Sequence, residues 1–127
     1  MVTTGYVLSG LIGVGIIFLG LRFFYSPAFA ARDYGVPGSP TPVAGLNAFL
    51  AAKGLRDIAS GLFTFLLMAN RNPRVLGEFL LIASLIAFGD AFIVLRSGGK
   101  RATAFGIHGV AGLFIVATGA ILIATAG

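Results

Sequence analysis

The chain has 127 residues, of which 57% are hydrophobic and only 10% charged, with a mean hydropathy of +1.00; that balance excludes an ordinary soluble domain of this size. Cysteine is absent, which excludes disulfides, thiolate catalysis and thiolate metal sites. The net charge of +5 comes from nine basic residues placed singly or in pairs, without the aromatic-interleaved basic stripe of a nucleic-acid binder.

A helical bilayer crossing takes about 20 apolar residues, and four stretches meet that length: residues 6–25, 46–68, 75–95 and 102–125. The expected architecture is all-α, a four-helix transmembrane bundle of antiparallel up-down topology forming one integral membrane domain over residues 1–127. The first stretch lacks an early basic residue and ends at Arg22 without a small-residue cleavage site, so it is expected to be a retained helix and not a signal peptide. Residues 26–45 then form a long loop containing Pro27, Pro37, Pro40 and Pro42, and a connection of that length in a small bundle is a candidate functional cover. Its Phe29, Arg32, Asp33 and Tyr34 are expected to lie along the interface, with the aromatics at headgroup level.

The later connections, NRNPR at 70–74 and RSGGKR at 96–101, are helix stops short enough only for antiparallel neighbours. Arg22, Arg32, Arg96, Lys100 and Arg101 fall on one side of the bundle, against Arg71 and Arg74 on the other. The positive-inside rule therefore puts the former side in the cytoplasm and both termini outside. Small residues mark the packing faces: Gly5, Ser9, Gly13 and Gly20 on the first helix, Gly54 and Gly61 on the second, and Ala102, Gly106, Gly109, Gly112 and Gly119 on the fourth. In lipid, such residues let backbones approach closely enough for van der Waals contact to drive association.

Against this apolar background Lys53, Arg56, Asp57, Asp90 and His108 stand out, because three different helices bring them to one depth, about one to three turns from the cytoplasmic side. A charge at the middle of a membrane helix costs roughly 2.5–3.5 kcal/mol, so such groups pair, meet water or do chemistry. Around the second helix, at about 100° per residue, Asn47, Asp57 and Gly61 share one stripe with Lys53 and Ser60 beside it. Arg56 points elsewhere and is expected to partner Asp90. Glu78 is explained by an i, i+4 pair with Arg74. The structural alternative for the cluster is an ion network that fixes helix register: Lys53 with Asp57, Arg56 with Asp90, and His108 as a neutral hydrogen bonder. One histidine and separated carboxylates form no credible metal constellation.

The strings KGLRDIASGL at 53–62, GDAFIVL at 89–95 and GIHG at 106–109 resemble a family of small four-helix membrane proteins of bacteria and fungi catalogued as a domain of unknown function. The resemblance extends to small membrane proteins of fungal polyketide pathways, of the aurovertin and citreoviridin type, and so implies epoxide opening. By analogy with soluble limonene-type epoxide hydrolases, which use an Asp-Arg-Asp set, it points to Asp57, Asp90, Arg56 and Asn47 as the catalytic groups. Two carboxylates in a desolvated layer should have their pKa values split, leaving one as base and one as acid. Lys53 or His108 would supply a further proton or steady the alkoxide.

The expected function is therefore cofactor-free acid/base chemistry on an apolar small molecule, as epoxide hydrolysis or epoxide-opening cyclisation in secondary metabolism. Isomerisation or cyclisation by the same carboxylates, a proton-coupled transporter subunit and a structural membrane protein are the alternatives. Expected partners are the apolar substrate, the lipid bilayer and a second copy in a homodimer; the expected location is the inner membrane of a bacterium or the endoplasmic reticulum of a fungus.

Overall fold

The computed structural model describes residues 1–38 and 44–127. Its helices are α1 (Val2–Tyr25), α2 (Pro27–Tyr34), α3 (Ala44–Ala69), α4 (Pro73–Arg96) and α5 (Arg101–Ala124). Among the described residues the architecture is all-α with five helices, not the expected four, because the segment between the first two long helices contains a helix of its own. Pro27 opens α2 at a position where its missing N–H costs nothing, and Gly35 closes it in the left-handed conformation at φ 98°. Pro40 and Pro42 lie outside the described residues.

Among the described residues three helices, α1, α4 and α5, are long and apolar enough to cross a membrane. The helix α3 is as long, at 26 residues, but carries Lys53, Arg56 and Asp57 in its middle.

Antiparallel neighbours meet where side chains vanish. A Cβ on Gly20 would come within 2.6 Å of the Gly54 carbonyl oxygen, and one on Gly54 within 2.5 Å of the Gly20 oxygen. One turn pair further along, a Cβ on Gly61 would lie 2.7 Å from the Gly13 oxygen. The helices α1 and α3 thus touch backbone to backbone at two levels. The pair α4/α5 repeats the device, since a Cβ on Gly77 would stand 2.7 Å from the Gly119 oxygen. At the end carrying both termini, Leu122 packs on Gly5 and joins Leu76 and Leu80 in a fully buried cluster.

Hydroxyls inside the bundle bond to their own helix. Ser9 donates to the Gly5 carbonyl at 2.7 Å, Thr64 to Ser60 at 2.9 Å and Thr118 to Phe114 at 2.8 Å, so these polar groups need no neighbour or water. At the opposite end, Ala91, Val94 and Ala104 form a second small core against Tyr34 and Val36. A Cβ on Gly35 would lie 2.5 Å from Thr103 Cγ2, so the end of α2 is seated directly on the start of α5.

Candidate active site

Lys53 and Asp57 are one turn apart on α3, and Lys53 Nζ donates to Asp57 Oδ2 at 3.1 Å. The same ammonium lies 3.5 Å from Asp90 Oδ2 on α4, so one cation is shared by two carboxylates from two helices. Asp57 is buried, and Lys53 and Asp90 are half-buried.

Tyr34, the last residue of α2, completes the group. Its hydroxyl donates to Asp90 Oδ1 at 2.8 Å, and its ring lies 5.2 Å from Lys53 Nζ. Burial first, then the Asp90 charge and the hydrogen bond to it, hold the Tyr34 phenol well above its ordinary value, so it stays a donor throughout the physiological range. Phe23 of α1 faces the ammonium from another direction at 5.3 Å, and both rings can stabilise the cation through their π faces.

His108 is held by a local departure from α geometry. Residues Ala104–Gly109 form a π-helical turn within α5, a feature that redirects side chains and is frequent at functional sites. Its Nε2 lies 2.9 Å from the Tyr34 carbonyl oxygen. That oxygen can only accept, so Nε2 carries the proton and donates. The two rings meet edge-on with centroids 5.0 Å apart.

Arg22 near the end of α1 ties down α2, with its Nη2 2.6 Å from Asp33 Oδ2. The Arg22 hydrogen bond, the first cause acting on it, holds the Asp33 carboxyl below its usual range; partial desolvation works against this, and the Arg22 and Arg32 charges reinforce it.

These groups face a cavity of about 770 Å³ bounded by all five helices, with Lys53, Asp57, Asp90, Tyr34 and His108 among its lining. Four of the six sequence-derived candidates, Lys53, Asp57, Asp90 and His108, therefore meet at one site. The other two are elsewhere. Arg56 is exposed and absent from the cavity wall; it follows Lys53 by three residues but precedes Asp57 by one, which turns it about 100° off the stripe, and the cation at Asp90 is Lys53 instead. Asn47 is half-buried on α3, about three turns before Asp57, and does not line the cavity. Glu78 pairs with Arg74 at 3.1 Å, outside the site. Tyr34, expected at the lipid interface, is instead central to the site; the Pro27 start and Gly35 stop were the signals for a short helix that could turn it inward.

Among the described residues, five helices around a polar-ended cavity, three of them apolar enough for a membrane, define a helical-bundle protein of membrane composition. The chain belongs to the family described as "Domain of unknown function (DUF4267)", which it matches over residues 13–122. No curated protein and no solved structure matches the chain.

Proposed function

We propose that the four long helices cross a bilayer and that the cavity is the active site of a cofactor-free enzyme that opens epoxides with water. Support for the membrane setting comes from large apolar side chains exposed on every long helix, among them Leu11, Phe49, Leu62, Ile82, Phe92 and Leu113, a pattern that water would penalise and lipid accepts. Two of the three charges of α3, Lys53 and Asp57, are paired inside the bundle, which lowers the cost of placing that helix in the bilayer. The epoxide chemistry is supported by one observation above all: a single ammonium shared by two carboxylates at the polar end of an apolar cavity.

In this mechanism Asp57 is the base. Its Oδ2 is occupied by Lys53, which leaves Oδ1 to take a proton from water as the water oxygen bonds to an epoxide carbon. The carbon–oxygen bond breaks, and the Lys53 ammonium gives a proton to the departing alkoxide oxygen. The Asp57 carboxyl then turns its protonated oxygen toward the neutral Lys53 amine and hands the proton over, restoring both groups and releasing a diol. Asp90 and Tyr34 position the ammonium, and His108 fixes Tyr34 through its backbone. The Asp-Arg-Asp pattern of the soluble enzymes thereby becomes Asp-Lys-Asp, with Lys53 in the bridging role expected of Arg56.

A panel of lipophilic terminal epoxides incubated with the purified protein in nanodiscs tests this reading. Diol formation is expected, and Asp57→Asn should lower turnover by about two to four orders of magnitude while leaving the protein monodisperse. Equal turnover in the variant would exclude Asp57 as the base.

A further inference from the structure

The cavity is polar at one end only. Away from Lys53 its walls are Leu11, Gly15 and Leu19 of α1 and, opposite them, Ala87, Ala111 and Phe114 of α4 and α5. Leu11 and Arg22 line its two ends and are separated along α1 by about 16 Å at 1.5 Å per residue, about the length of an extended dodecyl chain. The wall also has an opening. Leu11, Leu19 and Phe114 line the cavity and yet are 62%, 50% and 44% exposed, whereas α1 and α5 are closed together at the other end by Leu122 on Gly5. The gap between α1 and α5 is therefore a side entrance with an apolar rim.

Charge decides what the polar end accepts. Three cations, Arg22, Arg32 and Lys53, and three carboxylates, Asp33, Asp57 and Asp90, face the cavity. Arg22 and Arg32 are bonded to or beside Asp33, and Lys53 to the other two. An ionised head group would have to break one of these pairs or sit desolvated without a partner, and both are costly. A neutral oxygen needs only a donor.

We propose that the cavity takes one elongated, neutral lipophile, admitted sideways between α1 and α5, with its oxygen-bearing end at Lys53 and its tail beside Gly15, and that Gly15 sets the girth accepted. A Cβ at Gly15 would meet nothing within 4 Å, so the glycine is not required by helix packing and its empty volume belongs to the ligand. This assignment names the substrate class of the site proposed above and rests on that site being the functional one.

The test is photolabelling in phosphatidylcholine nanodiscs with a dodecanol that carries a diazirine on its tail. Labelled residues are expected to concentrate in 11–19 and 107–115, and excess dodecanol should displace the probe while equal dodecanoate or dodecylamine does not. Gly15→Phe should cut this labelling by roughly tenfold or more, with Gly15→Leu between it and wild type. Val14→Phe, at an exposed position outside the cavity, should leave it unchanged. Labelling spread over exposed residues such as Ile82 and Phe92, indifference to both Gly15 variants, or equal displacement by the charged chains would overturn the proposal. Selective labelling without any epoxide turnover would remove the epoxide chemistry and keep the binding site; turnover with unselective labelling would do the reverse.

Discussion

Lys53 can serve two carboxylates because of where each lies along its helix. Asp57 is four residues ahead on α3, so both side chains rise from one face, and Asp90 approaches from α4. The i, i+4 relation was legible in the sequence. The choice of Lys53 over Arg56 as the partner of Asp90 was not, because either cation sits at a suitable depth and only the rotation of α3 against α4 decides which of them faces inward. At the mouth of the site, Asp33 is the carboxylate held by Arg22 and Arg32. Its folded pKa is depressed, so the contribution of the Arg22 contact is present above the ordinary carboxylate range and lost as pH falls through the lowered value. A Phe29→Trp reporter on α2 should therefore give constant fluorescence from neutrality to about pH 4 and change only below. Asp33→Asn should abolish that acid transition; a transition near neutral pH, or one that survives the substitution, would contradict the tether.

Glycine spacing organises the elements. Gly13, Gly20, Gly54 and Gly61 were recognisable as packing faces, and all four are buried where α1 meets α3. Gly106 looked equivalent on α5 but is exposed, and a Cβ there would meet nothing within 4 Å. Its stripe was projected with α periodicity, whereas the π-helical turn at Ala104–Gly109 shifts the phase. Gly77 is not marked by any nearby glycine, since Gly89, the other glycine of α4, is about three turns away, yet it meets Gly119 backbone to backbone. Gly61→Leu should force α1 from α3 and cost about 1–3 kcal/mol or more, read as a lower thermal midpoint in detergent. Gly89→Ala, where a Cβ meets nothing within 4 Å, should be neutral or slightly stabilising. Deleting Gly106 removes the extra residue of the π turn, so α5 should close into a regular α-helix whose flanking turns keep their faces while the local backbone that presents His108 is reshaped. The His108 bond to Tyr34 would then be lost, with a fall in turnover larger than any fall in thermal stability. Unchanged turnover in the deletion variant would show that the π turn does not position the site.

Across the whole molecule, the four long helical segments and the convergence of Lys53, Asp57, Asp90 and His108 could be read from hydropathy and depth. The fifth helix and the role of Tyr34 could not, because α2 is short, only part apolar and defined by what it rests on: the tether to Arg22 and the seat of Gly35 against Thr103. The cavity is also a property of the assembled bundle, since it depends on α1 and α5 touching at Gly5 and Leu122 and separating toward α2. The proposed activation of water by Asp57 at this cavity is tested most directly by single-turnover reaction of a lipophilic epoxide in isotopically labelled water. With enzyme in excess and a product verified as a diol, the label should appear in the diol on the first turnover, with none in the protein. Unlabelled diol in that first turnover, with label entering Asp57 or Asp90 only over later cycles, would show carboxylate attack on the epoxide and contradict the water mechanism.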